Sequence, residues 1–320
     1  MSKCILFLLI SVSFTVKAGG FGKFKKRVID IDGADFVPGK RWYRSSENAQ
    51  EKIDKLLQIL SESRTGQKLM SQASAKAAKE GKTINELFKV GEGSLLDTTL
   101  VRRFSQNDPS VIQYETRSTI FINKTHSYYN AVLDMAHELT HYTFRKPFNP
   151  YVDNFDPGEF VRSTVEGTGG EVEAYLVECK VMYELFPSRT SKNSNCGMVK
   201  NPETGKLSKA LAVEQFYRVG GHIRSYEKDM DVYNISKTEF PYLSSGEATF
   251  ISSAWGLPYP VAALKEYKTI MGKVCQNDQK RLVLMQKNLG RLPASESTSP
   301  MQRQYKTFFS SYRNRCEKFM

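Results

Sequence analysis

Two histidines four residues apart, with a glutamate between them, make the run His137-Glu138-Leu139-Thr140-His141 the part of this chain best equipped for chemistry. On an α-helix, positions i and i+4 share a face, so both imidazoles can reach one ion. Glu138 follows the first histidine directly and can handle the proton of a water at that ion without binding the ion itself. The spacing is the His-Glu-x-x-His pattern of zinc hydrolases, in which one Zn2+ ion lowers the pKa of a bound water to about 7. The pair uses half of the chain's 4 histidines. Of the others, His126 has no motif around it. His222, after Gly220-Gly221 and near Tyr226, is a candidate donor to a developing oxyanion, although a half-buried helix histidine is the commoner condition of such a residue.

The neighbouring sequence indicates the elements that must position this pair. Val132, Met135, Ala136, Leu139 and Tyr142 or Phe144 recur at spacings of three and four, which predicts one helix over residues 128–144. Residues 117–123 cluster β-branched and aromatic side chains and read as a strand, with residues 111–114 as another. Residues 47–60, 66–79 and 83–90 read as helices before the sheet, and 146–170 as a long loop at the rim of a cleft. A further helix opens after Gly169-Gly170, with Glu171 and Glu173 in its first turn. Residues 207–230, 261–275, 278–289 and 301–319 read as helices carrying no catalytic motif.

On the His137–His141 motif and the segment Glu171-Val172-Glu173-Ala174, the chain resembles the gluzincin-like zincin metallopeptidases over roughly residues 50–187. In these a glutamate on a second helix completes the zinc site. The resemblance places the third ligand on Glu171 and leaves Glu173 as its rival, since residues two apart on a helix point about 200° from each other. Tyr175 stands where the commonest form has an Asp, so the partner that orients the ligands is left open. The fold implied is α+β and predominantly helical: a zincin-like catalytic core at 46–187 with a small sheet and an active-site helix, then a helical C-terminal subdomain at 188–320.

The first residues bear on location. An apolar run from Cys4 to Val16, then Lys17-Ala18-Gly19-Gly20, reads as a signal peptide at 1–18, followed by a basic arm at 19–45. No segment reads as a transmembrane span, and a secreted or periplasmic location is expected. Of the 5 cysteines, Cys4 leaves with the leader, and the remaining four allow three pairings. Cys179 with Cys196 and Cys275 with Cys316 is the favoured set. The chain carries 46 basic and 34 acidic residues, a net +12, with basic runs at 23–27, 40–44 and 303–318. That charge suits an anionic envelope surface, and no nucleic-acid motif accompanies it.

These features predict an exported zinc-dependent metallopeptidase acting on a protein or peptide, with His137, His141 and Glu171 as ligands and Glu138 as general base. Two alternatives share the motif. One is a secreted anionic-surface-binding protein on an inactive zincin scaffold, and the other is a metal-dependent amidase acting on non-protein amides.

Overall fold

The computed structural model describes residues 41–46, 48–105, 111–151, 156–187, 195–291 and 300–319. The expected signal peptide and residues 19–40 of the basic arm lie outside the described residues. The fold is predominantly helical α+β, with one three-stranded sheet among the described residues.

Helices α1 (Ala49–Ser61) and α2 (Arg64–Lys79) form the first layer. The Asn48 side chain accepts the backbone N–H groups of Gln50 and Glu51 and so starts α1, which buries Ile53, Leu56, Leu57 and Leu60. The turn into α2 is tight enough that a Cβ on Gly66 would lie 2.1 Å from the Leu60 carbonyl oxygen. Three strands follow, β1 (Phe88–Gly91), β2 (Leu95–Phe104) and β3 (Ile112–Asn123), in the spatial order β1-β3-β2. The central β3 pairs parallel with β1 and antiparallel with β2.

From β3 a short turn leads into α3 (Tyr128–Phe144), capped by Ser127, which accepts the Asn130 N–H. Of the apolar positions expected on this helix, Val132, Met135, Ala136, Leu139 and Tyr142 are buried and Phe144 is half-buried, and Ala131, Leu133 and Thr140 on its other sides are buried too. The burial on several sides follows from its surroundings. It packs against α5 (Glu171–Leu185), α2, α1 and the sheet, which makes it the central element of the core.

Elsewhere the elements depart from sequence expectation for identifiable reasons. Residues 83–90 are not a helix: Asn85–Leu87 make a single 3-10 turn and Phe88 begins β1, because parallel pairing with Ile120 to Asn123 overrides local preference. Strand β2 was not expected from the sequence, since Arg102 interrupts its apolar pattern and is buried against Asp278, 176 residues away. The expected loop 146–170 contains a helix, α4 (Pro157–Val165), capped by Asp156, with Pro157 sitting in its first turn. After the short α6 (Asn195–Met198), residues 207–230 divide into α7 (Lys209–Phe216) and α8 (Ile223–Val232) around Gly220, at φ +56°. Residues 261–289 instead form one helix, α9 (Tyr259–Leu289) of 31 residues. The last helix is α10 (Pro300–Cys316).

One cluster of buried apolar side chains runs from Trp42 to Met271 and includes residues of α3, α5, α7, α8 and α9. A second, smaller cluster of Cys275, Leu282, Tyr312 and Cys316 joins α10 to the far half of α9. The disulfides are Cys179–Cys196 and Cys275–Cys316, the favoured pairing. No helix among the described residues is long and apolar enough to cross a membrane.

Candidate metal centre

His137 and His141 project from the same side of α3, their rings edge to face with centroids 4.7 Å apart. Facing them is Glu171, the first residue of α5. Its Oε2 lies 3.3 Å from His137 Nε2 and 3.4 Å from His141 Nε2. Their ligand atoms all lie within 4.8 Å of one another, a spread that one ion could bridge.

The opposite nitrogen of each ring is also held. His137 Nδ1 lies 3.2 Å from Glu178 Oε2, and His141 Nδ1 lies 2.8 Å from the carbonyl oxygen of Gly169. Each anchor fixes ring orientation and leaves Nε2 turned toward Glu171. Glu178 is seven residues after Glu171 on α5, two turns along the same face, so one helix carries both carboxylates. It occupies the orienting role left open by Tyr175. The i, i+7 spacing was the available sequence signal for it.

Gly169 is fitted to its place by its backbone. It adopts φ +67°, and a Cβ there would lie 2.3 Å from the Arg145 nitrogen. Its N–H donates to Glu173 Oε2 at 2.8 Å while its carbonyl receives His141. The other oxygen of Glu173 accepts from Lys209 at 2.8 Å. Glu173 therefore faces away from the imidazoles and supports the turn that presents Glu171.

Electrostatics follow the same geometry. Burial works against the His137 imidazolium, but the Glu171 and Glu178 carboxylates outweigh it and hold its pKa well above the ordinary histidine value. Burial likewise opposes the Glu171 carboxylate, yet the His141 and His137 rings keep its pKa well below the usual range. Glu138, buried and outside the donor set, is pushed up by burial against the pull of His141 and His137. A carboxyl of raised pKa beside a cluster that could hold a metal ion can take up a proton and give it back.

Two residues on α9 were not legible in sequence. Tyr259 is electrostatically coupled to Glu171, and burial followed by the charge of Glu171 raises the phenol well above its ordinary pKa, so it keeps its proton. Glu266, seven residues further along, is raised by burial against the pull of Arg145 and is electrostatically coupled to Glu171 and His141. Their separation from the motif by more than a hundred residues explains the omission. The sequence candidate for oxyanion donation, His222, is exposed beside α8, and its neighbour Tyr226 is buried near Asp229; the phenol coupled to the cluster is that of Tyr259. His126 is buried, with Nε2 3.1 Å from Asp134 Oδ2.

Two imidazole nitrogens and one carboxylate oxygen, with both rings anchored from behind, form a donor set suited to Zn2+. The chain matches no protein-family model, no curated protein and no solved structure.

Proposed function

We propose that this chain is an exported zinc-dependent metallopeptidase of the gluzincin-like zincin type, hydrolysing peptide bonds. The observation that carries the reading is the convergence of His137, His141 and Glu171 while Glu138 stays out of the donor set. A site that only stored a metal would have no use for a buried carboxylate in that position.

Zinc, when bound by His137, His141 and Glu171, supplies the Lewis acidity that makes water nucleophilic at neutral pH. Glu138 accepts the proton of the attacking water and returns it to the leaving amine, a role suited by its raised pKa. Tyr259 keeps its proton and can donate to the carbonyl oxygen as that atom gains negative charge. Glu178 and the Gly169 carbonyl hold the two imidazoles in orientation. Export is supported by the leader-like start of the sequence and by two disulfides, which persist in oxidising compartments.

The decisive experiment measures zinc content and peptide-library cleavage together in the parent and in Glu138→Gln. The variant should keep its zinc and lose about 10^2- to 10^4-fold in turnover. A Glu138→Gln protein as active as the parent would remove the mechanism.

A further inference from the structure

The C-terminal hairpin of α9 and α10 repeats one surface pattern. On α9, Lys280, Val283 and Lys287 stand at i, i+3 and i+7 and are all exposed, Val283 at 60%. On α10, Lys306, Phe309 and Arg313 have the same spacing and are also exposed, Phe309 at 40%. Each row is cation, apolar, cation along one helical face. The inner face of α10 is occupied, since Tyr305, Phe308, Tyr312 and Cys316 pack into the small core shared with α9. Among the exposed charged residues of 279–291 and 300–319, Glu317 is the sole acidic one.

The rows select among anionic partners. A nucleic acid or acidic polymer would engage the cations and leave Val283 and Phe309 in water. At a bilayer surface both parts of the pattern are used: cations meet phosphate headgroups, and the apolar side chains between them reach the acyl boundary. Neither helix is apolar enough to span a bilayer, so contact stays at the surface.

We propose that the outward rows of α9 and α10 dock this protein on a bilayer surface rich in anionic phospholipid headgroups. The proposal is independent of the chemistry at the metal centre.

Flotation of the purified full chain with phosphatidylcholine vesicles, and with mixed phosphatidylcholine and phosphatidylglycerol vesicles, tests it. Binding is expected on the mixed vesicles, weaker in added salt, and absent on neutral ones. Lys306→Glu with Arg313→Glu should weaken binding by more than about 25-fold, given about fivefold for each cation near the surface. The control Lys68→Glu with Lys79→Glu makes the same change of net charge at exposed positions of α2 and should stay within about twofold. Phe309→Ser should weaken binding severalfold with an unchanged salt dependence. Circular dichroism verifies that each exposed-site variant is folded. The proposal is overturned by failure to bind mixed vesicles or by equal loss in both double variants. It is equally overturned by an unaltered Phe309→Ser affinity together with tight capture by DNA, which would mark a polyanion site.

Discussion

Glu171 and Glu173 stand two residues apart in the first turn of α5, and their surroundings separate them completely. Glu171 meets both imidazoles; Glu173 meets a backbone N–H and Lys209. Glu171→Ala should therefore abolish stoichiometric zinc binding, while Glu173→Ala should retain zinc and lose about 1 kcal/mol of stability from its hydrogen bonds. Zinc counting after dialysis decides this, and the assignment is wrong if the losses are reversed. Glu178→Gln should weaken zinc by about 10- to 100-fold without changing stoichiometry, as expected for a residue that orients a ligand. The same residues set a pH dependence. His137 has a raised pKa in the folded, metal-free chain, so its contribution to stability is complete below the unfolded value and is lost as pH rises through the folded one. Glu171, with a lowered pKa, contributes above its unfolded value and loses that contribution as pH falls through the folded one. Zinc must displace the His137 proton, so the rise in melting temperature on adding zinc should grow from about pH 5 to about pH 8. A zinc-induced shift that is flat or shrinks over that range contradicts the assignment of His137 as a ligand.

At the scale of elements, the site is a helix pair held in register by one glycine. Helix α3 carries the imidazoles, α5 carries Glu171 and Glu178, and Gly169 links them by receiving His141 while its backbone lies against Arg145. Gly169→Ala would force a side chain into a left-handed conformation and into the Arg145 backbone, at a cost above about 1 kcal/mol, and would loosen zinc as well. Urea unfolding of the metal-free variant, compared with its zinc affinity, separates the two effects; a variant unchanged in both would show that the turn adjusts freely. What the sequence made legible here was local. The α3 stripe, the i, i+4 histidines and the acidic first turn of α5 are patterns within one helix, and each is present in the fold. The contributions of β1, β2 and Tyr259 were hidden because each is defined by a partner distant in sequence: Ile120 to Asn123, Asp278 and Glu171. Helix α4 was hidden for a different reason. Its Pro157 breaks helices in most positions but is favoured in the first turn, and only the Asp156 cap identifies that position.

Across the whole molecule, the two disulfides and one buried aspartate divide the work of holding the chain together. Cys179–Cys196 ties the middle of α5, the helix of Glu171, to the short α6 after it, inside the main core. Cys275–Cys316 closes a sequence separation of 41 and fastens α10 onto α9. Beside it Asp278, fully buried, receives Arg102 from β2 on one oxygen and Arg315 from α10 on the other. Arg102 also stacks on Tyr151, with 3.9 Å from its guanidinium carbon to the ring centroid. The aspartate thus joins the sheet to the last helix through α9, while the same α9 brings Tyr259 near Glu171 from its opposite end. Removing one partner of a buried charge group leaves the others desolvated and uncompensated, which costs about 3–5 kcal/mol. Asp278→Ala should lose stability on that scale in urea, a larger effect than any single exposed-charge change on α10. Because His137, His141 and Glu171 lie on α3 and α5, whose apolar residues belong to the other cluster, the folded variant should still bind zinc with parent stoichiometry. An Asp278→Ala protein as stable as the parent would mean that Arg102 and Arg315 find other acceptors, and that α10 is held by its disulfide and apolar contacts alone.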